Sequence, residues 1–123
     1  MLSYKKTIEE LKERLLNEFG DRINAVILYG SAARGEYKEE KSDIDILIIA
    51  KDDSLYKKIR RIATKLDSIN STMTSLVYIS RNEFELNLKL GSSFLLNVID
   101  EGEILYADGI FERARKSLLK KSG

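Results

Sequence analysis

The chain has 123 residues, 43% of them hydrophobic and 33% charged, which is the size and mix of one globular domain with a real core. Its net charge of +1 gives no global argument for nucleic acid or a membrane surface. Neither cysteine nor histidine occurs, so disulfides, thiol nucleophiles, His-dependent triads and Cys- or His-based zinc sites are excluded.

Residues 3–19 place Ile8, Leu11, Leu15, Leu16 and Phe19 at helical spacing, and Gly20 is a suitable stop. The opening Met1-Leu2-Ser3-Tyr4-Lys5-Lys6 leads into this Glu/Lys-rich helix and does not read as a signal peptide. Residues 24–29 form a continuous apolar run, read as a buried strand. Ala32-Ala33-Arg34 begins a short helix, and Gly35 to Ser42 is a charged loop. A second buried strand covers 43–50. Asp53 or Ser54 is the expected N-cap of an amphipathic helix over 55–68, which Asn70-Ser71 breaks. Residues 73–79 read as a third strand. Ser80-Arg81-Asn82-Glu83 fits a capping box for a helix reaching Leu90. Ser92 or Ser93 caps a helix through Ile99. Ile104-Leu105-Tyr106 is a short extended piece, and Asp108 caps a basic helix over 110–120. This order predicts an α/β (α+β) domain spanning 1–123, with a core over about 22–110: a small mixed sheet of three main strands with helices against one face. No apolar run reaches the roughly 20 residues that span a bilayer, so a cytoplasmic protein with no membrane partner is expected.

The chemistry concentrates in residues 30–45. Gly30-Ser31 ends the first strand, and Asp43 and Asp45 open the second. Alternation along a strand turns both carboxylates to one side, with Cβ atoms about 7 Å apart. Such a pair at the mouth of a buried strand is costly unless a cation satisfies it. With no His or Cys to ligate, that cation sits on oxygen, which favours Mg²⁺ or Mn²⁺. The Gly-Ser turn offers N–H groups and a hydroxyl to an anion. Together they suggest a site for a metal-bound phosphate. Arg34 pairs with a phosphate, or with Asp43, or is a surface charge. Tyr37 reads as a loop aromatic more readily than as a base-stacking platform. Lys57, Lys58, Arg60, Arg61 and Lys65 on one helix, and Arg113, Arg115, Lys116, Lys120 and Lys121 on the last, read mainly as solvated faces, with RNA or an acidic partner as the functional alternative.

Gly30-Ser31, eleven residues, then Asp43-Ile44-Asp45 resembles the signature of the DNA polymerase β-like nucleotidyltransferase superfamily. Gly-Ser-Ala-Ala-Arg-Gly-Glu with Ser-Asp-Ile-Asp-Ile is similar to its minimal nucleotidyltransferase (MNT) group, as is the segment Phe94 to Tyr106. The resemblance implies the nucleotidyltransferase fold, with Gly30, Ser31 and Arg34 toward the nucleotide and Asp43 and Asp45 as catalytic metal ligands for Mg²⁺ or Mn²⁺. It implies ATP as donor and in-line transfer of AMP with loss of pyrophosphate. The family usually carries a third carboxylate on the next strand; here Ser75 stands where that acid is expected. Beyond Tyr106 only the basic helix remains, so the acceptor surface is expected from another chain, a second copy or a different protein. MNT-group members commonly work with a helical HEPN-type protein as antitoxin to its ribonuclease, and transfer AMP to a tyrosine of that partner. The expected function is therefore a metal-dependent adenylyltransferase acting on a protein hydroxyl. The alternatives are a non-catalytic nucleotide-binding antitoxin, and a transferase for a small molecule or an RNA end.

Overall fold

A computed structural model describes residues 3–39 and 41–122. The readings that touch Met1, Leu2, Glu40 and the side chain of Lys121 lie outside the described residues. In chain order the elements are α1 (Ser3–Phe19), β1 (Ile23–Tyr29), α2 (Gly30–Ala33), β2 (Ile44–Ala50), α3 (Tyr56–Asn70), β3 (Thr74–Ser80), α4 (Arg81–Lys89), α5 (Ser93–Glu101), β4 (Glu103–Ala107) and α6 (Ile110–Ser122). One four-stranded sheet has the order β3-β2-β1-β4. The β1–β2 and β1–β4 pairs are antiparallel, and β2–β3 is parallel.

The expected single helical layer is corrected: helices cover both faces of the sheet, and among the described residues the strands number four. Val26, Leu28, Ile46 and Ile48 face α1 and α3 through Leu11, Leu15, Ile59 and Leu66. Ala25, Ile27, Leu47 and Ile49 face α4, α5 and α6 through Phe84, Leu95, Val98 and Phe111. Two-sided burial explains why β1 and β2 are continuous apolar runs without alternation. The fourth strand arises because the Ile104-Leu105-Tyr106 segment pairs back onto β1 far upstream, with Ala107 opposite Ala25, a pairing that local pattern does not contain.

Local chemistry sets the ends. Gly20 (φ 55°) and Ser71 (φ 56°) end α1 and α3 in left-handed conformations. The cap before α3 is Asp52, not Asp53 or Ser54: its Oδ1 accepts from Ser54 N at 2.8 Å and opens a short turn that runs into the helix. Ser80 and Glu83 form the expected capping box on α4. Ser92 caps α5, and Asp108 accepts from Ile110 N at 3.2 Å at the head of α6. Arg115 is not part of a free basic face. Its guanidinium donates to the carbonyls of Ile99 and Gly102 and lies over the Phe111 ring.

Candidate active site

β1 and β2 end side by side, with Tyr29 opposite Asp45. The chain then turns at Gly30, which has φ 69°. A Cβ at this position would overlap Asp45 Oδ2 and sit 2.9 Å from Asp45 Cγ. Only glycine lets the backbone lie against that carboxylate. The helical turn begins at Gly30 itself, two residues earlier than Ala32. It is held by Arg34 N donating to Gly30 O at 3.2 Å and Glu36 N donating to Ser31 O at 2.8 Å. No side chain caps this turn, so its leading N–H groups keep their capacity for an acceptor.

Asp43 is exposed and Asp45 half-buried. Burial, and then the charge of Asp43, hold the Asp45 carboxyl above its ordinary value, with Arg34 opposing. Burial and the Asp45 charge push the Tyr29 hydroxyl up to about 12. Both shifts report a half-desolvated negative site short of positive charge. Two oxygen-donor carboxylates of this kind suit a hard divalent cation that takes its other ligands from water and phosphate. Arg34 does not pair with Asp43. It is bound by Glu36 at 2.6 Å and Glu101 at 3.6 Å.

Ser75 pairs directly with Asp45 in the parallel β2–β3 register, and strand neighbours lie about 5 Å apart. The place beside Asp45 therefore carries a neutral hydroxyl. Among the described residues no cluster of three or more His, Cys, Asp or Glu side chains could hold a metal. Glu83 accepts from Ser80 Oγ at 2.9 Å in its capping box, and Glu85 pairs with Arg81 at 3.7 Å. Tyr37 stacks on Tyr4 with ring centroids 4.1 Å apart, which accords with a loop aromatic. Two neighbours escaped the sequence reading. Phe94 meets the Tyr29 ring edge-on at 5.4 Å, and the exposed Met73 accepts from Ile44 N at 2.8 Å, next to Asp43. Nothing local in the sequence ties Phe94 to Tyr29; only helix packing does.

A family model for the nucleotidyltransferase domain matches residues 5–102, from the first turn of α1 to the residue before β4. The chain belongs to the nucleotidyltransferase domain family. A Methanocaldococcus jannaschii protein, named for an inferred protein adenylyltransferase activity, is 38% identical to this domain over 105 residues. That match covers 85% of this chain and 100% of the relative. A second protein of the same organism, named in the same way, is 42% identical over 55 residues, 45% of this chain and 54% of its own. Among solved structures, a chain of a toxin–antitoxin complex crystallised with AMP-PNP superposes with a TM-score of 0.61 at 23% identity, covering 93% of this chain and 86% of that one. A chain from the complex of a tri-AMPylated Shewanella oneidensis HEPN toxin with its MNT antitoxin gives 0.54 at 21%, covering 98% and 89%. At such identities these likenesses establish that the nucleotidyltransferase domain shares their fold. Among the described residues no helix is long and apolar enough to cross a membrane.

Proposed function

We propose that this nucleotidyltransferase domain is a divalent-metal-dependent adenylyltransferase that moves AMP from ATP to a hydroxyl of a protein partner, in the manner of an MNT antitoxin. The observation that carries the reading is the glycine backbone of Gly30 packed against the Asp45 carboxylate, with Asp43 two residues earlier, just ahead of β2, its charge acting on Asp45. Asp43 and Asp45 would hold Mg²⁺ or Mn²⁺. When bound, that ion neutralises the triphosphate and steadies the pyrophosphate leaving group. Ser31 and the uncapped N–H groups of α2 would receive the terminal phosphates. The acceptor oxygen would bond to the α-phosphorus as the bond to the bridging oxygen breaks; pyrophosphate would depart and the hydroxyl proton would pass to solvent water. Positioning and charge neutralisation carry such a transfer, which needs no histidine.

The name of the M. jannaschii relative supports the reaction class. The AMP-PNP and tri-AMPylated HEPN complexes support ATP as the donor and a helical HEPN-type protein as the acceptor. Ser75 beside Asp45 favours a second reading, in which the domain binds nucleotide and partner without transferring. Incubation of the full chain and its co-purified partner with α-labelled ATP separates the two. Label on a partner tyrosine, abolished by Asp43→Ala with Asp45→Ala, supports transfer. Nucleotide binding with no label on the partner supports the second reading, and label that persists in the double variant sinks the metal assignment.

A further inference from the structure

The side chain of Asp67, in the last turn of α3, accepts from three donors: Thr72 Oγ1 at 2.7 Å, Thr74 Oγ1 at 2.8 Å and Thr74 N at 2.9 Å. Its backbone carbonyl accepts from Ser71 N, and from Thr72 N at 3.1 Å. One residue thus gathers the whole turn from α3 into β3. β3 is the end strand of the sheet, and Asp67 gives Thr74 N the acceptor that a further strand would have supplied.

The direction of the hydroxyl bonds follows from the carboxylate, which only accepts. Thr72 gives its one hydroxyl proton to Asp67, so Thr7, whose Oγ1 lies 2.8 Å from Thr72 Oγ1, donates to Thr72. Asn70 Nδ2 in turn donates to Thr7 Oγ1 at 3.1 Å. Thr7 and Asn70 are buried, where leaving one member of such a chain unpaired is costly. The chain from Asn70 through Thr7 and Thr72 to Asp67 clamps the turn to α1 as well as to α3.

The turn meets the candidate site through the backbone. Met73 O, between Thr72 and Thr74, accepts from Ile44 N at 2.8 Å. That N–H belongs to the peptide joining Asp43 to Ile44. The β1 pairing stops at Tyr29 opposite Asp45, so toward Asp43 it is the β3 side that holds β2, with Ile44 opposite Thr74. The side chains themselves stand apart. Alternation turns Thr74, with Leu76 and Tyr78, toward α1 and α3, and Asp45, with Leu47 and Ile49, toward α4, α5 and α6. The link is a hydrogen bond in the plane of the sheet. We propose that Asp67 is a positioning residue for Asp43 and Asp45: by holding Thr72 and Thr74 it places the Met73 carbonyl, which fixes the Asp43–Ile44 peptide and with it the separation of the two carboxylates. The proposal rests on the metal-site reading above.

Native-state amide exchange by NMR and calorimetric titration of Mn²⁺, both on the full chain, test this. Asp67→Asn sets an NH₂ group against donors. Thr74→Val deletes one hydroxyl bond at nearly unchanged shape, and carries the test if Asp67→Asn does not fold. Each should speed exchange at the Ile44 amide roughly 10-fold relative to Ile48 in mid-strand. Each should also weaken Mn²⁺ binding roughly 10-fold, the low end for residues that orient a metal ligand. Thr74→Ser keeps the hydroxyl and should stay near the parent in both readouts. Ser80→Ala, at the other end of β3, lowers stability without touching the turn and should move neither. The proposal is overturned if the Ile44-to-Ile48 ratio holds in the folded variants, or if Mn²⁺ affinity holds while Ile44 loosens. Equal damage from Thr74→Ser or from Ser80→Ala also overturns it, because packing or general destabilisation then explains the loss. Loosening of Ile44 in variants of a parent that binds no Mn²⁺ upholds the hold of Asp67 on the Asp43–Ile44 peptide and sinks the metal-site reading instead.

Discussion

Gly30 carries two demands that a larger residue cannot meet together. Its φ of 69° is left-handed, and its missing Cβ is where Asp45 Oδ2 lies. Gly30→Ala should therefore cost about 1–2 kcal/mol from backbone strain alone and also push the carboxylate aside. Chemical denaturation reads the first effect; loss of Mn²⁺ binding by calorimetry reads the second. Asp45 shows the reverse economy. Half-buried beside Asp43, it is a carboxylate whose ionised form the metal-free fold holds at a loss. Asp45→Asn is expected to raise the metal-free Tm while abolishing metal-dependent nucleotide binding. An unchanged or lower Tm, with binding retained, contradicts that account. Ser75 is the third residue of this scale. Ser75→Asp adds a carboxylate opposite Asp45; it should lower the metal-free Tm and tighten Mn²⁺ roughly 10-fold, about 1.4 kcal/mol. The residue types of this site were open to reading in the sequence, because Gly-Ser and Asp-x-Asp each state a local geometry. The closeness of Gly30 to Asp45, fifteen positions apart, was not.

Among the elements, those whose ends are written in side chains a few residues away were legible. Ser80 and Glu83 announce α4, Ser92 announces α5, and Asp108 announces α6. Ser80→Ala should cost about 1 kcal/mol by removing the capping bond to Glu83 N, measured by urea denaturation, with little change in nucleotide binding because the box sits at the opposite end of β3 from Ser75. The start of α2 was misplaced for a physical reason. Its first turn is stabilised by contact with β2, not by helix propensity, and glycine would otherwise argue against a helix there. The cap before α3 shifted to Asp52 because a short 3₁₀ turn intervenes, and three acids or hydroxyls in a row offered equivalent candidates. Ile104-Leu105-Tyr106 read as extended, but its partner, β1, lies far upstream in the chain.

At the scale of the molecule, binding free energy and folding are linked. If Asp43, Asp45 and the Gly30 turn hold a metal nucleotide, Mg²⁺–ATP at 100 times its Kd should stabilise the fold by about 2.7 kcal/mol, a Tm rise on the order of 10 °C. The Asp43→Ala, Asp45→Ala double variant should show no such rise in differential scanning fluorimetry. The two-faced sheet makes this coupling direct. β2 carries Asp45 at one end, with Asp43 just ahead of it, and Ile46, Leu47, Ile48 and Ile49 through the middle of both cores, so the strand that presents the candidate site is itself deeply buried.

The sequence by itself determined the kind of chemistry available: oxygen ligands only, a paired carboxylate on a buried strand, a glycine turn before it, and a domain of mixed helices and strands. Those are properties of residue type and short spacing, and they survive without knowledge of the rest of the chain. Tertiary structure decided what stands next to what. It set Ser75 opposite Asp45, engaged Arg34 with Glu101, added β4 to the sheet, and put helices on both faces. Each of these is a contact between distant segments, chosen by how the whole chain buries its apolar surface rather than by any stretch of it.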